Sequence, residues 1–197
     1  MAFYLDCFLP VEGQALEKAL EINHIMVQRF ASQIDFKQNI KPHLTLFMGF
    51  FPEINPVQKE LLDLNQSFAG FDVHLQGFRL TSEGYLFWDA EEQEELQLLH
   101  EKVLESLNPL RNGLIREKFN QSFDSYLPVE QENIKKFGFP WVKHLFNPHL
   151  TLAKISEPVN RVEILDALKH LCEKSSFSVK CIMLGRVGEN GTVLNSD

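Results

Sequence analysis

The sequence predicts an α+β fold built twice over within one chain. Three observations carry that expectation. The pentapeptide Pro-His-Leu-Thr-Leu occurs at 42–46 and again at 148–152, both copies sit in the same order of strand-like and helix-like segments, and other residues keep the same spacing. The offset is 106 (149 − 43), and it also carries Leu62 onto Leu168, Phe71 onto Phe177, Val73 onto Val179 and Glu83 onto Glu189. Composition alone would give a second copy of a stated pentapeptide a chance on the order of 10⁻⁴, so a duplication explains the pattern better.

Residues 3–9 form a short apolar run stopped by Pro10, which predicts a first strand. With no basic start and with Asp6 inside the run, it makes a poor signal peptide. Over 11–30, Leu16, Leu20, Val27 and Phe30 recur at helical spacing. The first His-Leu-Thr-Leu lies in a predicted strand over 42–50. Asn55-Pro56 then supplies an N-cap and a first-turn proline for a helix whose inner face is Val57, Leu61, Leu64 and Phe68. Strands over 71–80 and 85–88 are joined by Ser82-Glu83-Gly84, a hairpin signal.

The second cycle begins with a helix over 91–107 that turns Leu96, Leu99, Val103 and Leu107 inward. After the second motif strand (148–155), Pro158 opens a helix with Val162, Leu165, Leu168 and Cys172 inward. Residues 177–187 and 192–194 close the chain as a hairpin across Glu189-Asn190-Gly191.

The register breaks once. The helices before the two motifs begin about 80 residues apart rather than 106, so the second half carries an insertion within 108–146. Its part from 111 to 146 holds six basic residues against four acidic ones, a net +2 in a chain of net charge −8. It is also rich in aromatics: Phe119, Phe123, Tyr126, Phe137, Phe139 and Trp141. Such a segment reads either as a lid or substrate loop or as a packed excursion filled with Phe. Tyr126, Trp141, Lys143 and His144 are its candidate substrate contacts.

In a strand, residues i and i+2 share a face. His43 therefore projects with Thr45, and His149 with Thr151, while the four leucines of the motifs face an apolar layer. Only four threonines occur in the chain (Thr45, Thr81, Thr151, Thr192), and two of them stand in this arrangement. A lone His beside a Thr is usually a solvated pair. Two at equivalent places of a duplicated fold would meet across a cleft, where one neutral imidazole can take a proton and one imidazolium can give one. Thr hydroxyls can donate to phosphoryl oxygens as charge builds there. His43, His149, Thr45 and Thr151 are thus the candidate catalytic set.

Other chemistries lack support. There is no H-E-x-x-H, C-x-x-C, G-x-S-x-G, P-loop or G-x-G-x-x-G, so neither a metal nor a cofactor is expected. The negative charge argues against binding long duplex nucleic acid. Cys7, Cys172 and Cys181 read as buried free thiols of a reducing compartment. No segment is apolar for long enough to span a bilayer, so the expected location is cytoplasmic. His24, His100 and His170 are expected on helix surfaces, and His74 on an exposed strand position.

The two H-x-T motifs on equivalent strands, with Gly138-Phe139-Pro140-Trp141 leading into the second, resemble the 2H phosphoesterase superfamily. That group includes 2′-5′ RNA ligase-like proteins and cyclic nucleotide phosphodiesterases. The resemblance implies a single bilobal domain over 1–197, with lobes at about 1–82 and 83–197. It implies two antiparallel sheets lining a central cleft, with helices outside and no metal. It also implies His43 and His149 as acid and base, Thr45 and Thr151 orienting a phosphate, and a monomer acting on a nucleotide or short RNA end. Substrates would carry 2′,3′-cyclic phosphates or 2′,5′ linkages. The rival is a binding protein of the same fold that holds a nucleotide or RNA end without turning it over.

Overall fold

The computed structural model describes residues 2–38, 40–156, 161–171 and 174–193. Its strands are β1 (Phe3–Pro10), β2 (His43–Phe51), β3 (Phe71–Leu80), β4 (Tyr85–Ala90), β5 (His149–Lys154), β6 (Ser175–Val179) and β7 (Met183–Arg186). The helices are α1 (Gly13–Phe30), α2 (Asn55–Gln66), α3 (Glu94–Leu107), α4 (Glu117–Gln121), α5 (Pro128–Phe137) and α6 (Arg161–Leu168). The expected mixture of helices and antiparallel strands is there, but the strands do not form two separate sheets. They make one seven-stranded sheet in the order β6-β3-β4-β5-β2-β1-β7. The halves fuse because the two motif strands pair with each other, Leu44 opposite Leu150.

That sheet must curl. Its edges, β6 and β7, are consecutive pieces of chain separated only by residues 180–182. Six strand spacings would put the edges of a flat sheet about 29 Å apart, whereas the connection spans at most about 14 Å. The expected single strand over 177–187 is broken for the same reason. Its first part pairs with β3 and its second with β1, on opposite edges. At the crossing, Asn65 of α2 satisfies both backbone groups of Ile182, donating to its carbonyl at 2.9 Å and accepting from its N–H at 2.8 Å.

The duplication extends to an irregularity. In the β1–β2 ladder the partner of Cys7 is Phe47 and that of Phe8 is Thr45, so Leu46 is a bulge. In the β4–β5 ladder Leu86 faces Ala153 and Phe87 faces Thr151, so Leu152 is the equivalent bulge. A bulge frees a backbone carbonyl from the ladder, and a buried one needs a donor. Each is supplied by a polar residue on the helix that follows the neighbouring half's first strand. Asn23 of α1 donates to the Leu152 carbonyl at 2.8 Å, and His100 of α3 has Nδ1 2.6 Å from the Leu46 carbonyl.

This explains why His100, expected on a surface, is 0 % exposed. Its Nδ1–H donates to Leu46 while its Nε2 accepts the Lys143 N–H at 2.8 Å. Burial holds its pKa below the usual value, so it stays the neutral imidazole that both bonds require.

Two helix faces also differ from expectation. α1 buries Ala15, Ala19, Ile22, Asn23, Met26 and Phe30, and leaves Leu20 43 % exposed. Small residues let this helix lie close to the sheet, which displaces the larger leucines to its flank. α6 turns Ile164 and Leu168 inward while Val162 is 72 % exposed, because the inward face is one position round from the expected one. Pro158, Cys172 and Leu194 lie outside the described residues. His24, His74 and His170 are exposed as expected. Cys7 is buried, Cys181 is half-buried, and both are free. Among the described residues no helix is long and apolar enough to cross a membrane.

Candidate active site

The antiparallel register at Leu44–Leu150 sets His43 beside Thr151 and Thr45 beside His149. The histidines occupy one diagonal of that square and the threonines the other. Diagonal neighbours in an antiparallel pair are about 7–8 Å apart, room for a phosphoryl group between imidazoles. All four side chains line one cleft of about 760 Å³, together with Tyr4, Met48, Arg79, Tyr85, Phe87 and Lys154 from the sheet. The leucines of the motifs, Leu44, Leu46, Leu150 and Leu152, are buried in the core. The His and Thr of both motifs thus line the cleft while their four leucines are buried, with Leu46 also bordering the cleft.

Each histidine is tethered by the carbonyl two residues before it. His43 Nδ1 lies 2.8 Å from the Lys41 carbonyl, and His149 Nδ1 lies 2.7 Å from that of Asn147. An Nδ1–H donated to a carbonyl leaves Nε2 as the working nitrogen. Each ring also rests on the phenylalanine paired with its threonine: Phe8 at 5.2 Å for His43, Phe87 at 3.8 Å for His149.

The two settings then diverge. His43 Nε2 is 3.3 Å from Oδ2 of Asp6, and Thr45 donates its hydroxyl to the same oxygen at 2.7 Å. Asp6 is 0 % exposed and His43 8 %. Burial works against a charged His43, but the hydrogen bond and charge of Asp6, with the Lys41 carbonyl, outweigh it and raise its pKa. His149 has no such partner. Although its ring keeps an edge on the cleft, burial drives its pKa down to about 4, and the Asn147 carbonyl and the charge of Asp89 only partly oppose this. Asp89 faces His149 across the ladder, yet both its oxygens are held by Arg79, at 2.8 and 2.6 Å.

Sequence reasoning misses Asp6 as a functional residue. It is visible there as an acid inside an apolar strand, a signal that taken alone speaks only against a signal peptide. Arg79, Arg116, Lys118 and Lys154 are missed as well, because nothing in their local spacing marks them.

The family model of the 2′-5′ RNA ligase superfamily matches residues 17–191, which span both motifs and the insertion. This chain belongs to that superfamily, the 2H phosphoesterases. Among solved structures it is similar to E. coli LigT complexed with ATP, with 16 % identity over 99 % of this chain and 95 % of that one and a TM-score of 0.52. It is equally similar to a structure described as a phosphoesterase, with 16 % identity over 100 % and 97 % and a TM-score of 0.50. These likenesses establish the fold. No curated protein matches the sequence.

Within this 2H phosphoesterase the insertion is both packed and cleft-lining. Arg111, 1 % exposed, clips it together through Asn108 Oδ1 at 3.0 Å, the Leu114 carbonyl, and the Lys136 carbonyl at 3.3 Å. Gly138, at φ +70°, has the Arg111 guanidinium where a Cβ would stand, so this position of the Gly-Phe-Pro-Trp run admits no side chain. From that frame Arg116, Lys118, Phe119, Phe139 and Trp141 line the cleft. Trp141 is 46 % exposed and donates to Glu130 at 3.0 Å. Tyr126 stands behind it in edge contact at 6.4 Å and is not a wall residue. Lys143 and His144 are also absent from the lining: the Lys143 amine lies over the Phe137 ring, and His144 points to the outside.

Proposed function

We propose that the protein is a metal-independent phosphodiesterase that opens 2′,3′-cyclic phosphates or cleaves 2′,5′-linked RNA or nucleotide ends. The observation that carries this reading is the diagonal pair of imidazoles lining one cleft, each with Nδ1 tethered to a backbone carbonyl. In hydrolysis of a cyclic phosphate, one Nε2 takes a proton from water as the water oxygen bonds to phosphorus. The bond from phosphorus to a ribose oxygen breaks, and the other imidazolium gives that oxygen its proton. The product is a phosphomonoester, and proton exchange with solvent resets the pair. With an RNA 5′-hydroxyl as the nucleophile in place of water, the 5′-oxygen bonds to phosphorus, the bond from phosphorus to the 3′-oxygen breaks and that oxygen takes the proton. The same groups thus form a 2′,5′ linkage without ATP.

The Thr151 hydroxyl makes no hydrogen bond among the described residues and lines the cleft, which supports reading it as a donor to a non-bridging oxygen, where charge accumulates. Arg116 and Lys118 on the insertion and Lys154 on β5 give the cleft a positive lining in an acidic chain, suited to a small anionic substrate. Trp141 and Phe139 offer aromatic faces to a base. The same reading takes the protein as a cytoplasmic monomer.

The test is hydrolysis of 2′,3′-cyclic AMP in EDTA by the wild type and by His43→Ala and His149→Ala. Both variants should lose about 10²–10⁴-fold in kcat. Unchanged rates would sink the two-histidine mechanism, and loss of wild-type activity on chelation would replace it with a metal site.

A further inference from the structure

The motifs are repeated, but the carboxylate behind one of them is not. Across β1–β2, Asp6 stands opposite Met48; at the equivalent place across β4–β5, Tyr85 stands opposite Lys154. The second half thus offers His149 an aromatic ring where the first offers His43 an acid. We infer that Asp6 is the positioning residue that divides the labour of the two histidines, holding His43 as the acid for the leaving oxygen and leaving His149 to act as the base. This inference rests on the phosphodiesterase reading and assigns the two roles that the reading leaves open.

The geometry is that of a carboxylate kept for one purpose. Asp6 has no exposed surface, and its Oδ1 has no hydrogen-bond partner. Burying a carboxylate with an unpartnered oxygen is costly and persists where a cation compensates it. Among the described residues His43 is the one cationic group within ion-pair distance of Asp6.

The groups facing His43 come from three elements: Asp6 and Tyr4 on β1, Thr45 on its own strand, and His149 and Thr151 on β5. Arg116, a further cation of the cleft, lies over the Tyr4 ring at 4.2 Å. Of these side chains, Asp6 is the one that favours a proton on His43, with the Lys41 carbonyl adding to it at Nδ1. Burial also raises the pKa of Asp6 itself, with His43 and Thr45 only partly offsetting it. Whichever partner is viewed as the carrier, the pair keeps its proton to a higher pH than His149 does. When the His43 Nε2 proton passes to the leaving oxygen, the buried carboxylate faces a neutral ring. That state favours prompt reprotonation from solvent.

Two measurements test the assignment. Imidazole ¹H–¹⁵N titration of the wild-type protein, without substrate, should show His43 charged across a pH range in which His149 is neutral. In Asp6→Asn the His43 midpoint should move down by about one pH unit or more, with His149 nearly unmoved. The reverse order in wild type, or an unmoved His43 in the variant, overturns the inference. Because this readout needs no turnover, it is decided even where cyclic AMP proves a poor substrate, a result that would count against the phosphodiesterase reading alone.

The second measurement is the pH profile of kcat for 2′,3′-cyclic AMP. Asp6→Asn should move its descending limb to lower pH and leave the ascending limb in place. For every pH unit the limb moves, activity at a pH above the wild-type midpoint should fall about tenfold, and it should recover as the pH is lowered. A uniform loss at every pH, or a matching rise in KM with an unmoved limb, would mark Asp6 as merely structural. Should Asp6→Asn fail to fold, the wild-type titration still overturns the inference if His149 keeps its proton to the higher pH. Asp6→Glu, which keeps a carboxylate, then takes the place of Asp6→Asn in supporting it if His43 stays charged above His149.

Discussion

The two halves of this molecule present the same His-and-Thr pair in opposite electrical settings. In the first half His43 is backed by a buried carboxylate that also takes the Thr45 hydroxyl. In the second half His149 lies on Phe87, its nearest acid is engaged by Arg79, and Thr151 is free of side-chain partners among the described residues. A twofold device with identical halves would hold two imidazoles of equal proton affinity, poorly suited to giving and taking a proton at once. Duplication supplies the geometry, and the acid at Asp6, where the second half has Tyr85, supplies the difference in setting on which the proposed roles rest.

The largest effects should come from removing the paired groups. His43→Ala and His149→Ala should each cost about 10²–10⁴-fold in kcat. They should also delete different limbs of the pH profile, the descending one for His43 and the ascending one for His149. Loss of the same limb in both variants would erase the distinction between the halves.

Next come the threonines. Thr151→Val should lower kcat by about 10²-fold at every pH, as expected for a lost oxyanion donor. Thr45→Val should act mainly by changing where the descending limb falls, because its hydroxyl is given to Asp6. Matching profiles for the two variants would mean that both hydroxyls reach the phosphate.

A smaller effect is expected in the unrepeated wall. Arg116→Ala and Trp141→Ala should raise KM for 2′,3′-cyclic AMP several-fold with kcat nearly kept, and the Arg116 effect should shrink at high salt. A change confined to kcat would move these residues from binding to chemistry.

The smallest predicted changes concern the bulge donors. Asn23→Leu and His100→Leu should each destabilise by about 1–3 kcal/mol, since each strands a buried carbonyl; urea midpoints measure this. The two should differ in pH response. His100 and His149 stay neutral in the fold but gain protons when unfolded at acid pH, so they make stability fall as pH drops below about 6.5, for His149 down to about 4. His43, whose pKa is raised, contributes the opposite slope: stability present below about 6.5 and lost as pH rises through its folded value. His100→Leu should flatten the acid-side loss, and Asn23→Leu should leave its slope unchanged.

Much of this is open to reading along the chain. Alternation in a strand has a fixed period, so His-Leu-Thr-Leu determines by itself that the polar pair and the leucines part to opposite faces. The constant offset of 106 makes the two pairs equivalent, and the broken offset isolates the insertion. What the sequence could not determine depends on partners remote along the chain. Whether the halves form two sheets or one turns on the Leu44–Leu150 pairing, a contact spanning 106 residues. His100 sits at an ordinary helical position, and only the bulge at Leu46 turns it from a surface residue into a buried donor. Lys143 and His144 belong to the basic insertion by composition, but the path of that chain points them away from the cleft. The charge states of His43 and His149 are least legible of all. Proton affinity is set by burial and by the nearest opposite charge, and Asp6, which makes the difference, comes from a strand 37 residues before the histidine it serves (43 − 6).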